Sequence, residues 1–313
     1  MESKLALEAP RIGAKKKSKI SRETAWGYFF IFPWIVGFVI FTLGPVIASF
    51  LLSFTDYELI LAPVWVGFKN YRILFTQDRL FLLSLYNTAY YTLFSVPLGV
   101  IMAFLLAMLL NVQLPGMKVY RTIFYLPTVT SGVAVSILWV WLFNPQFGLI
   151  NYLLRSIGLP GPGWLVDTAW AKPAFILMSL WGVGGTAVIF LAGLQGVPRS
   201  LYEAAQIDGA NTWQRFWHVT IPMMSSVIFF NLVMGVIGSF QVFTSAYVMT
   251  RGGPQNATLF YVLYLFKKGF GMLQMGYAAA MAWILFAIIL ALTLLQLRLA
   301  DRWVYYEGQE GRS

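Results

Sequence analysis

Charged residues divide this sequence into long apolar runs separated by short polar segments. About 20 apolar residues cross a bilayer as a helix, so each run has room for one span and its interfacial turns but not for two spans. The pattern therefore predicts an all-α membrane protein with six transmembrane helices. The six runs free of Asp, Glu, Lys and Arg are Thr24–Thr55, Leu80–Met117, Thr122–Leu154, Pro173–Pro198, Phe216–Thr250 and Gly269–Leu297.

The predicted spans lie inside these runs, and Trp and Tyr cluster near many of their boundaries, as amphipathic rings do at lipid headgroups. Together the six spans form one predicted membrane domain over residues 24–298, between an N-terminal tail (1–23) and a C-terminal tail (299–313). The spans are predicted at about Trp26–Phe54, Asn87–Leu110, Ile123–Phe143, Pro173–Leu194, Met223–Met249 and Gly276–Leu297.

Composition agrees with this class, because 59% of the residues are apolar and 11% are charged, against roughly 25% charged in ordinary globular domains. The net charge of +10 owes much to the N-terminal tail, where seven Lys or Arg precede Trp26, including Lys15–Lys17. The positive-inside rule places this tail in the cytoplasm, and six spans put the C-terminus on the same side. We expect a multi-pass protein of the inner membrane that binds no nucleic acid, since no basic surface with interleaved aromatics appears.

Residues that carry enzyme chemistry are scarce. Cysteine is absent and His218 is the single histidine, so we expect no disulfide and no typical metal site. A phosphate-binding loop ends in Gly-Lys, and the sequence contains no such dipeptide. We expect a protein that is not an enzyme and binds no cofactor itself. The carboxylates Asp56, Glu58 and Asp78 fall in a predicted outer loop and are expected to be solvated.

One polar segment, Gln195–Pro222, separates the fourth and fifth runs and reads QGVPRSLYEAAQIDGANTWQRFWHVTIP. A charge costs roughly 2.5–3.5 kcal/mol at the centre of a bilayer helix. Four charges together therefore place this segment at the membrane surface. The charged residues are Arg199, Glu203, Asp208 and Arg215.

The same segment shows the signals of two short helices joined at a sharp turn. Pro198 suits a first helical turn, and Gly209 is a natural end for that helix. Asn211 or Thr212 can cap the second helix. The first helix is predicted to carry a stripe of Leu201, Ala204, Ala205 and Asp208, and the second a face of Trp213, Phe216 and Trp217. Ordered helices at a membrane surface indicate a docking element.

These residues also resemble a known motif. Glu203-Ala204-Ala205, followed after three residues by Gly209 and then by Ile221-Pro222, resembles the EAA motif of permease subunits in bacterial ABC importers. Leu201-Tyr202 and Asp208-Gly209-Ala210 resemble the carbohydrate branch, which serves maltose, lactose and glycerol-3-phosphate. One departure is Met223–Ser226, which lacks the second proline of many relatives. Further segments that resemble this family are Phe54–Asp56, Val66–Tyr71, Asn87-Thr88 and Thr250–Pro254.

The resemblance implies a type I ABC importer permease fold whose polar segment, residues 195–222, holds a cytoplasmic coupling helix. Such a helix sits in a groove of a separate ATPase that uses ATP-Mg. The implied partners are two copies of that ATPase, a homologous second permease subunit and an extracytoplasmic substrate-binding protein. The implied coupling residues are Glu203, Ala204, Ala205, Asp208, Gly209, Trp213 and Phe216.

Candidate substrate contacts lie in the fourth and fifth spans. The fourth span carries a notch of small residues, Gly182, Gly184 and Gly185, where another helix or a ligand can approach closely. Gln241 stands out among the polar residues of the fifth span, although such residues also form bonds between helices. Positions that match sugar-binding positions of maltose-type permeases are Gly182, Gly185, Gly235, Ser239 and Val242, and most of these are small here.

Two other classes stay open at this point. A self-sufficient secondary carrier or channel also suits six helices, but carriers generally bury ionisable residues as ion sites, and the six predicted spans contain no Asp, Glu, Lys or Arg. A membrane-bound enzyme would need ionisable residues clustered at one membrane face, which the chain lacks. The sequence favours the permease of an ATP-driven importer for a sugar or oligosaccharide.

Overall fold

A computed structural model describes residues 22–305, with side chains from Trp26 onward. The predicted basic tail over 1–23, including Lys15–Lys17, lies outside the described residues except at its last two positions. Residues 306–313 of the predicted C-terminal tail also lie outside them.

The described chain is helical apart from one two-stranded sheet, in which β1 (Thr55–Asp56) pairs antiparallel with β2 (Val64–Trp65). Three π-helical turns occur at Val39–Leu43, Phe216–Thr220 and Lys267–Gly271. The helices are α1 (Arg22–Phe38), α2 (Gly44–Leu52), α3 (Lys69–Thr76), α4 (Arg79–Leu110), α5 (Met117–Val129), α6 (Gly132–Leu142), α7 (Leu149–Ser156), α8 (Thr168–Trp181), α9 (Gly184–Gly196), α10 (Arg199–Ile207), α11 (Thr212–Arg215), α12 (Ile221–Ser239), α13 (Thr244–Met249), α14 (Tyr261–Phe266) and α15 (Met275–Ala300).

Four continuous helical stretches are long and apolar enough to cross a membrane: Trp26–Leu52, Arg79–Leu110, Thr212–Ser239 and Met275–Ala300. Two bent pairs raise the number to six if each pair is one span: α5 with α6, bent by 98°, and α8 with α9, bent by 47°. The all-α membrane class is confirmed. The prediction of six spans holds only if the bent pairs cross the membrane as pairs.

The third predicted span is wrong as a single helix, because its chain turns sharply between α5 and α6. Thr130 adopts an extended backbone, and Ser131, just before α6, also leaves the helical region. The hydroxyls of Thr128 and Thr130 donate to the carbonyls of Tyr125 and Leu126. Such side-chain bonds compete with helical backbone pairing, and Pro127 removes one backbone donor.

The fifth predicted span is also too long at its far end. Its helix stops at Ser239, and α13 is a separate helix that packs against α6. Gln241 therefore lies in the non-helical link between α12 and α13 rather than inside a membrane helix. The second span begins at Arg79, eight residues before the predicted Asn87, because the Asp78 carboxylate accepts hydrogen bonds from the N–H groups of Leu80 and Phe81.

The chain up to Ser49 forms one compact unit and the chain from Phe50 onward another. The first unit holds α1, a π-helical turn and most of α2. In the second unit α4 packs against α8, α9 and α12, and α12 packs against α15. One buried cluster of this unit joins α4, α9 and α12 through Phe104, Ala187, Phe190 and Met224. This cluster supports the polar segment described below.

The helix of the fourth span includes a charged residue, Lys172, directly before the predicted start of that span. Because α8 begins at Thr168, Lys172 belongs to the helix of the fourth span rather than preceding it. Its ammonium donates to Asn87 Oδ1 at 3.2 Å and lies over the rings of Tyr86 and Tyr90, 4.7 and 4.9 Å from their centroids. Aromatic faces attract a cation of this kind. Within its predicted bounds, Pro173–Leu194, the fourth span contains no charged residue, but its helix begins earlier and includes Lys172.

Asp78 lies at the end of the bundle where α4 and α15 begin, called the outer end after the predicted topology. It is not solvated as predicted, because its Oδ2 accepts hydrogen bonds from Tyr264 and Tyr277, each at 2.6 Å. Burial raises the pKa of Asp78, but these two hydrogen bonds, the Phe81 N–H and nearby Lys268 together bring that pKa below its ordinary value. Asp78 thus ties α4, α14 and α15 together.

The variant Asp78→Asn should lower the free energy of unfolding by about 1–2 kcal/mol, because a neutral amide accepts these hydrogen bonds less strongly than a carboxylate. A carboxylate with a lowered folded-state pKa stabilises the protein above its unfolded pKa, near about 3.9, and loses that contribution as the pH falls through the folded-state value. Thermal melting in detergent should therefore show acid destabilisation below about pH 4 that is weaker in the variant.

The control for this experiment is Asp56→Asn. Asp56 is exposed and forms a salt bridge with Lys69 at 3.3 Å, which is worth under about 1 kcal/mol. Equal melting temperatures for wild type and Asp78→Asn at neutral pH would show that the cluster does not stabilise the outer end.

Candidate functional site

The polar segment over residues 195–222, called the docking loop, is ordered by backbone and side-chain hydrogen bonds. Its first helix, α10, follows Pro198 and ends in a Schellman motif. The N–H of Gly209 donates to the carbonyl of Gln206, the N–H of Ala210 donates to that of Ala205, and Gly209 has φ +81°. The predicted stop at Gly209 is confirmed.

The second part of the loop begins with a capping box at Asn211. The Gln214 N–H donates to Asn211 Oδ1 and the Asn211 N–H donates to Gln214 Oε1, both at 2.8 Å. The prediction of a second short helix is wrong, since α11 continues through the π-helical turn into α12. A movement of the loop therefore has a continuous helical path into the membrane.

One contact joins two parts of the loop, and another fixes the loop to the rest of the chain. The hydroxyls of Tyr202 and Thr220 lie 3.0 Å apart and join α10 to the turn before α12. Phe216 is half-buried against the cluster under the loop and lies 6.2 Å from the ring of Phe104. Trp213 stacks on Phe216 at 5.6 Å, so the predicted aromatic face exists. The loop is thus a rigid projection rather than a flexible linker.

The loop also exposes large apolar side chains. Ile207 is 86% exposed, Trp213 67% and Trp217 49%. The helix face that packs inward holds Tyr202 and partly buried Ala205, whereas the other members of the predicted stripe, Leu201, Ala204 and Asp208, are exposed. Sequence reasoning missed Ile207. Its signal was an apolar residue inside a charged segment, directly before the helix stop.

The loop also carries exposed charged side chains. Arg199, Glu203 and Asp208 are exposed, and within residues 22–305 none of them forms an ion pair in the structure. A hollow of about 280 Å³ opens between α10 and α11, lined by Ala205, Asp208, Gly209, Ala210, Gln214, Arg215, His218 and Val219. The loop therefore presents apolar projections, free charges and a small recess on one rigid frame, which are the features of a protein-docking surface.

A second candidate site lies inside the helix bundle. A cleft of about 320 Å³, called the intramembrane cleft, opens between α4, the bend of α8 and α9, and α12. The helix bend at Gly182 and the small residue Gly235 leave room for it. Its lining comprises Tyr91, Ser95, Val96, Gly99, Val100, Ser179, Gly182, Val183, Thr186, Asn231, Met234, Gly235, Gly238, Ser239 and Val242.

Four of the six predicted contacts lie in this lining: Gly182, Gly235, Ser239 and Val242. Gly185 does not, because a side chain there would point at Thr128 of α5, with Cβ 3.3 Å from Thr128 Cγ2. Gln241 is exposed outside the cleft and donates to the Ile237 carbonyl at 3.2 Å. Gly184, the third glycine of the notch, lies against the Phe124 carbonyl. The notch therefore serves both helix packing and the cleft.

Polar groups of the cleft come largely from residues that sequence reasoning did not select. Tyr91 interacts with the hydroxyls of Ser95 and Ser179. The Asn231 amide donates to the Val227 carbonyl. The sequence did contain a signal for two of these residues. Tyr91 and Ser95 lie four residues apart on α4 and therefore on one helix face. The cleft lining contains hydroxyls and an amide but no charged side chain.

The chain is similar in sequence and in structure to known membrane transport proteins. Residues 95–305 match the protein family described as binding-protein-dependent transport system inner membrane component. The match runs from the middle of α4 through α15 and includes the docking loop and most of the intramembrane cleft.

Named relatives extend the similarity over nearly the whole chain. The probable ABC transporter permease protein YesP of Bacillus subtilis is 44% identical over 300 residues, covering 95% of this chain and 97% of the relative. The lactose transport system permease protein LacF of Rhizobium radiobacter is 37% identical over 86% of this chain and 92% of its own length. A similar chain occurs in the crystal structure of a bacterial alginate ABC transporter in complex with an alginate pentasaccharide-bound periplasmic protein. The two chains are 27% identical and superpose with a TM-score of 0.79, covering 90% of this chain and 96% of that chain.

Proposed function

This chain belongs to the family of inner membrane components of binding-protein-dependent transport systems, and we propose that it carries a sugar or oligosaccharide through the membrane as the permease of an ABC importer. Two relatives support the substrate class by their names, since one transports lactose and the other imports alginate. The lining of the intramembrane cleft agrees, because hydroxyls and an amide without a countercharge suit a neutral, hydroxyl-rich ligand.

The observation that carries the proposal is the docking loop. It exposes the apolar side chains of Ile207, Trp213 and Trp217 together with charges that form no ion pair, and α11 connects the loop directly to α12, which lines the cleft. A partner that moves the loop therefore acts on one wall of the substrate passage. The partner we propose is a cytoplasmic ATPase, present in two copies, which hydrolyses ATP-Mg and rocks the permease between inward-facing and outward-facing states.

The remaining partners follow from the family. We propose that a homologous second permease subunit completes the passage with this chain. The family description and the alginate complex support a substrate-binding protein at the outer end. The two termini then lie in the cytoplasm.

Reconstitution tests this function. Liposomes should take up a saccharide only when the permease pair, the ATPase, ATP and the binding protein are all present. Uptake by the purified chain alone, driven by an ion gradient, would identify a secondary carrier instead. Failure of the complete complex to take up any member of a broad saccharide panel would contradict the substrate class.

Cysteine labelling tests the topology, and the absence of native cysteine makes each single-cysteine variant unambiguous. Variants at Lys118, Arg215 and Arg302 should react only from the cytoplasmic side, because the basic tail fixes the orientation. Variants at Lys69, Arg155 and Lys268 should react from outside intact cells. Labelling of Lys69→Cys and Arg215→Cys from the same side would refute the six-span topology.

A further inference from the structure

A further cleft in the described part of the chain lies outside the intramembrane site. It measures about 710 Å³ and lies at the outer end, where the turn after β1, the helix α3 and the starts of α4 and α15 meet. This volume falls within the range of about 300–1,000 Å³ typical of small-molecule sites. It is called the outer cleft.

The polar groups at the floor of the outer cleft already have partners within the chain. Asp78 accepts its two tyrosine hydrogen bonds there, and Lys268 lies over the same two rings, 5.6 Å from the centroid of Tyr264 and 5.0 Å from that of Tyr277. The neighbouring wall contains the ion pair of Asp56 with Lys69. These groups shape the site without needing a ligand.

Other polar groups of the lining have no such partners. Within residues 22–305, the side chains of Glu58, Gln77, Arg79 and Gln274 form no hydrogen bond or ion pair. An antiparallel backbone bridge holds Glu58 beside Gln274. A carboxylate, a guanidinium and two amides thus converge on one concavity, and together they offer both donors and acceptors.

The charges of the lining cancel. Three carboxylates and three basic side chains contribute to it, so the formal sum is zero: Asp56, Glu58 and Asp78 against Lys69, Arg79 and Lys268. A balanced site gives no net attraction to an ion. Mixed donors and acceptors without a net charge suit a neutral molecule with many hydroxyl groups.

We propose that the outer cleft binds a neutral saccharide, at a site outside the membrane and separate from the intramembrane cleft. The assignment of the ligand class rests on the proposed transport of sugars. Donors and acceptors on Gln77 and Gln274 pair with sugar hydroxyls, while Arg79 and Glu58 add charge-assisted hydrogen bonds.

Protection of a single cysteine locates the ligand. Gln77→Cys places a thiol in the outer cleft directly after the end of α3, and Arg72→Cys places one on α3 outside the cleft as the matched control. The full chain, in membrane fragments that expose both faces, is labelled with a bulky maleimide. Millimolar lactose, maltotriose or arabinotriose should slow labelling of Gln77→Cys at least threefold and leave Arg72→Cys unchanged. The expected factor follows from hydrogen bonds that each contribute ~1 kcal/mol.

A second variant connects the protection to the lining. Gln274→Met keeps a side chain of similar length but removes its amide, so half-maximal protection should need about threefold to tenfold more sugar. Three outcomes overturn the proposal: no protection by any of the three sugars, protection by an alginate pentasaccharide alone, or protection only after a binding protein is added. The last outcome would make the cleft a protein interface.

The outcomes separate this site from the transport function. Saccharide uptake by the complete complex without protection of Gln77→Cys overturns the outer cleft alone. Protection without uptake retains the cleft and contradicts the proposed function. Unchanged protection in Gln274→Met overturns the lining assigned here.

Discussion

Gly209→Val is expected to abolish saccharide uptake by the reconstituted complex, with a loss of at least about tenfold. Gly209 has φ +81°, and a Cβ built there meets no heavy atom within 4 Å. The effect is therefore backbone strain rather than a clash, and a β-branched residue in this conformation is strained by about 1–3 kcal/mol. Relief of that strain changes the turn between α10 and α11 and so displaces the start of α12.

The matched control is Gly209→Asn at the same position, because Asn tolerates the left-handed region far better than Val. Gly209→Asn should retain most uptake. Ala205→Trp gives an independent test, since Ala205 lines the hollow of about 280 Å³ between the two helices and an indole there should prevent the ATPase from docking. Co-purification of the ATPase and ATP hydrolysis are measured together with uptake. Normal ATPase binding and normal uptake in both Gly209→Val and Ala205→Trp would refute the coupling role.

The sequence predicted the helical class and the docking loop because their signals are local. Gly209 and Asn211 act through neighbouring backbone groups, so their residue types suffice to place a helix stop and a helix cap. The bend between α5 and α6 was missed because the predicted span around it, Ile123–Phe143, contains no charged residue. Charge-free length alone does not distinguish one straight span from two bent pieces.

The site predictions succeeded or failed according to whether they depended on tertiary contacts. Gly182 and Ser239 line the cleft, whereas Gln241 falls beyond the end of α12, which the hydrophobic run did not reveal. Asp78 was expected to be solvated, but its partners Tyr264 and Tyr277 are nearly 200 residues away in sequence. Long-range pairing of this kind leaves no local pattern.

Gly182→Phe is expected to block uptake, again by at least about tenfold, while the ATPase still docks. Gly182 ends α8 at the bend, with an ordinary φ of −87°, and a Cβ there has only the Ser179 carbonyl nearby, at 3.7 Å. The substitution is therefore tolerated by the backbone and places a phenyl ring in a cleft of about 320 Å³. The ring occupies a large part of the space through which we propose the sugar passes.

The control for the blocked cleft is Leu177→Phe, which puts the same ring on the exposed side of the same helix. Both variants are compared at equal amounts of assembled complex, with basal ATP hydrolysis as the measure of an intact docking loop. Loss of uptake in Gly182→Phe, with basal hydrolysis preserved and Leu177→Phe normal, is the expected result. Normal uptake in assembled Gly182→Phe complex would mean that the substrate does not pass through the intramembrane cleft, and the passage would then have to be sought on another face of α4 and α12.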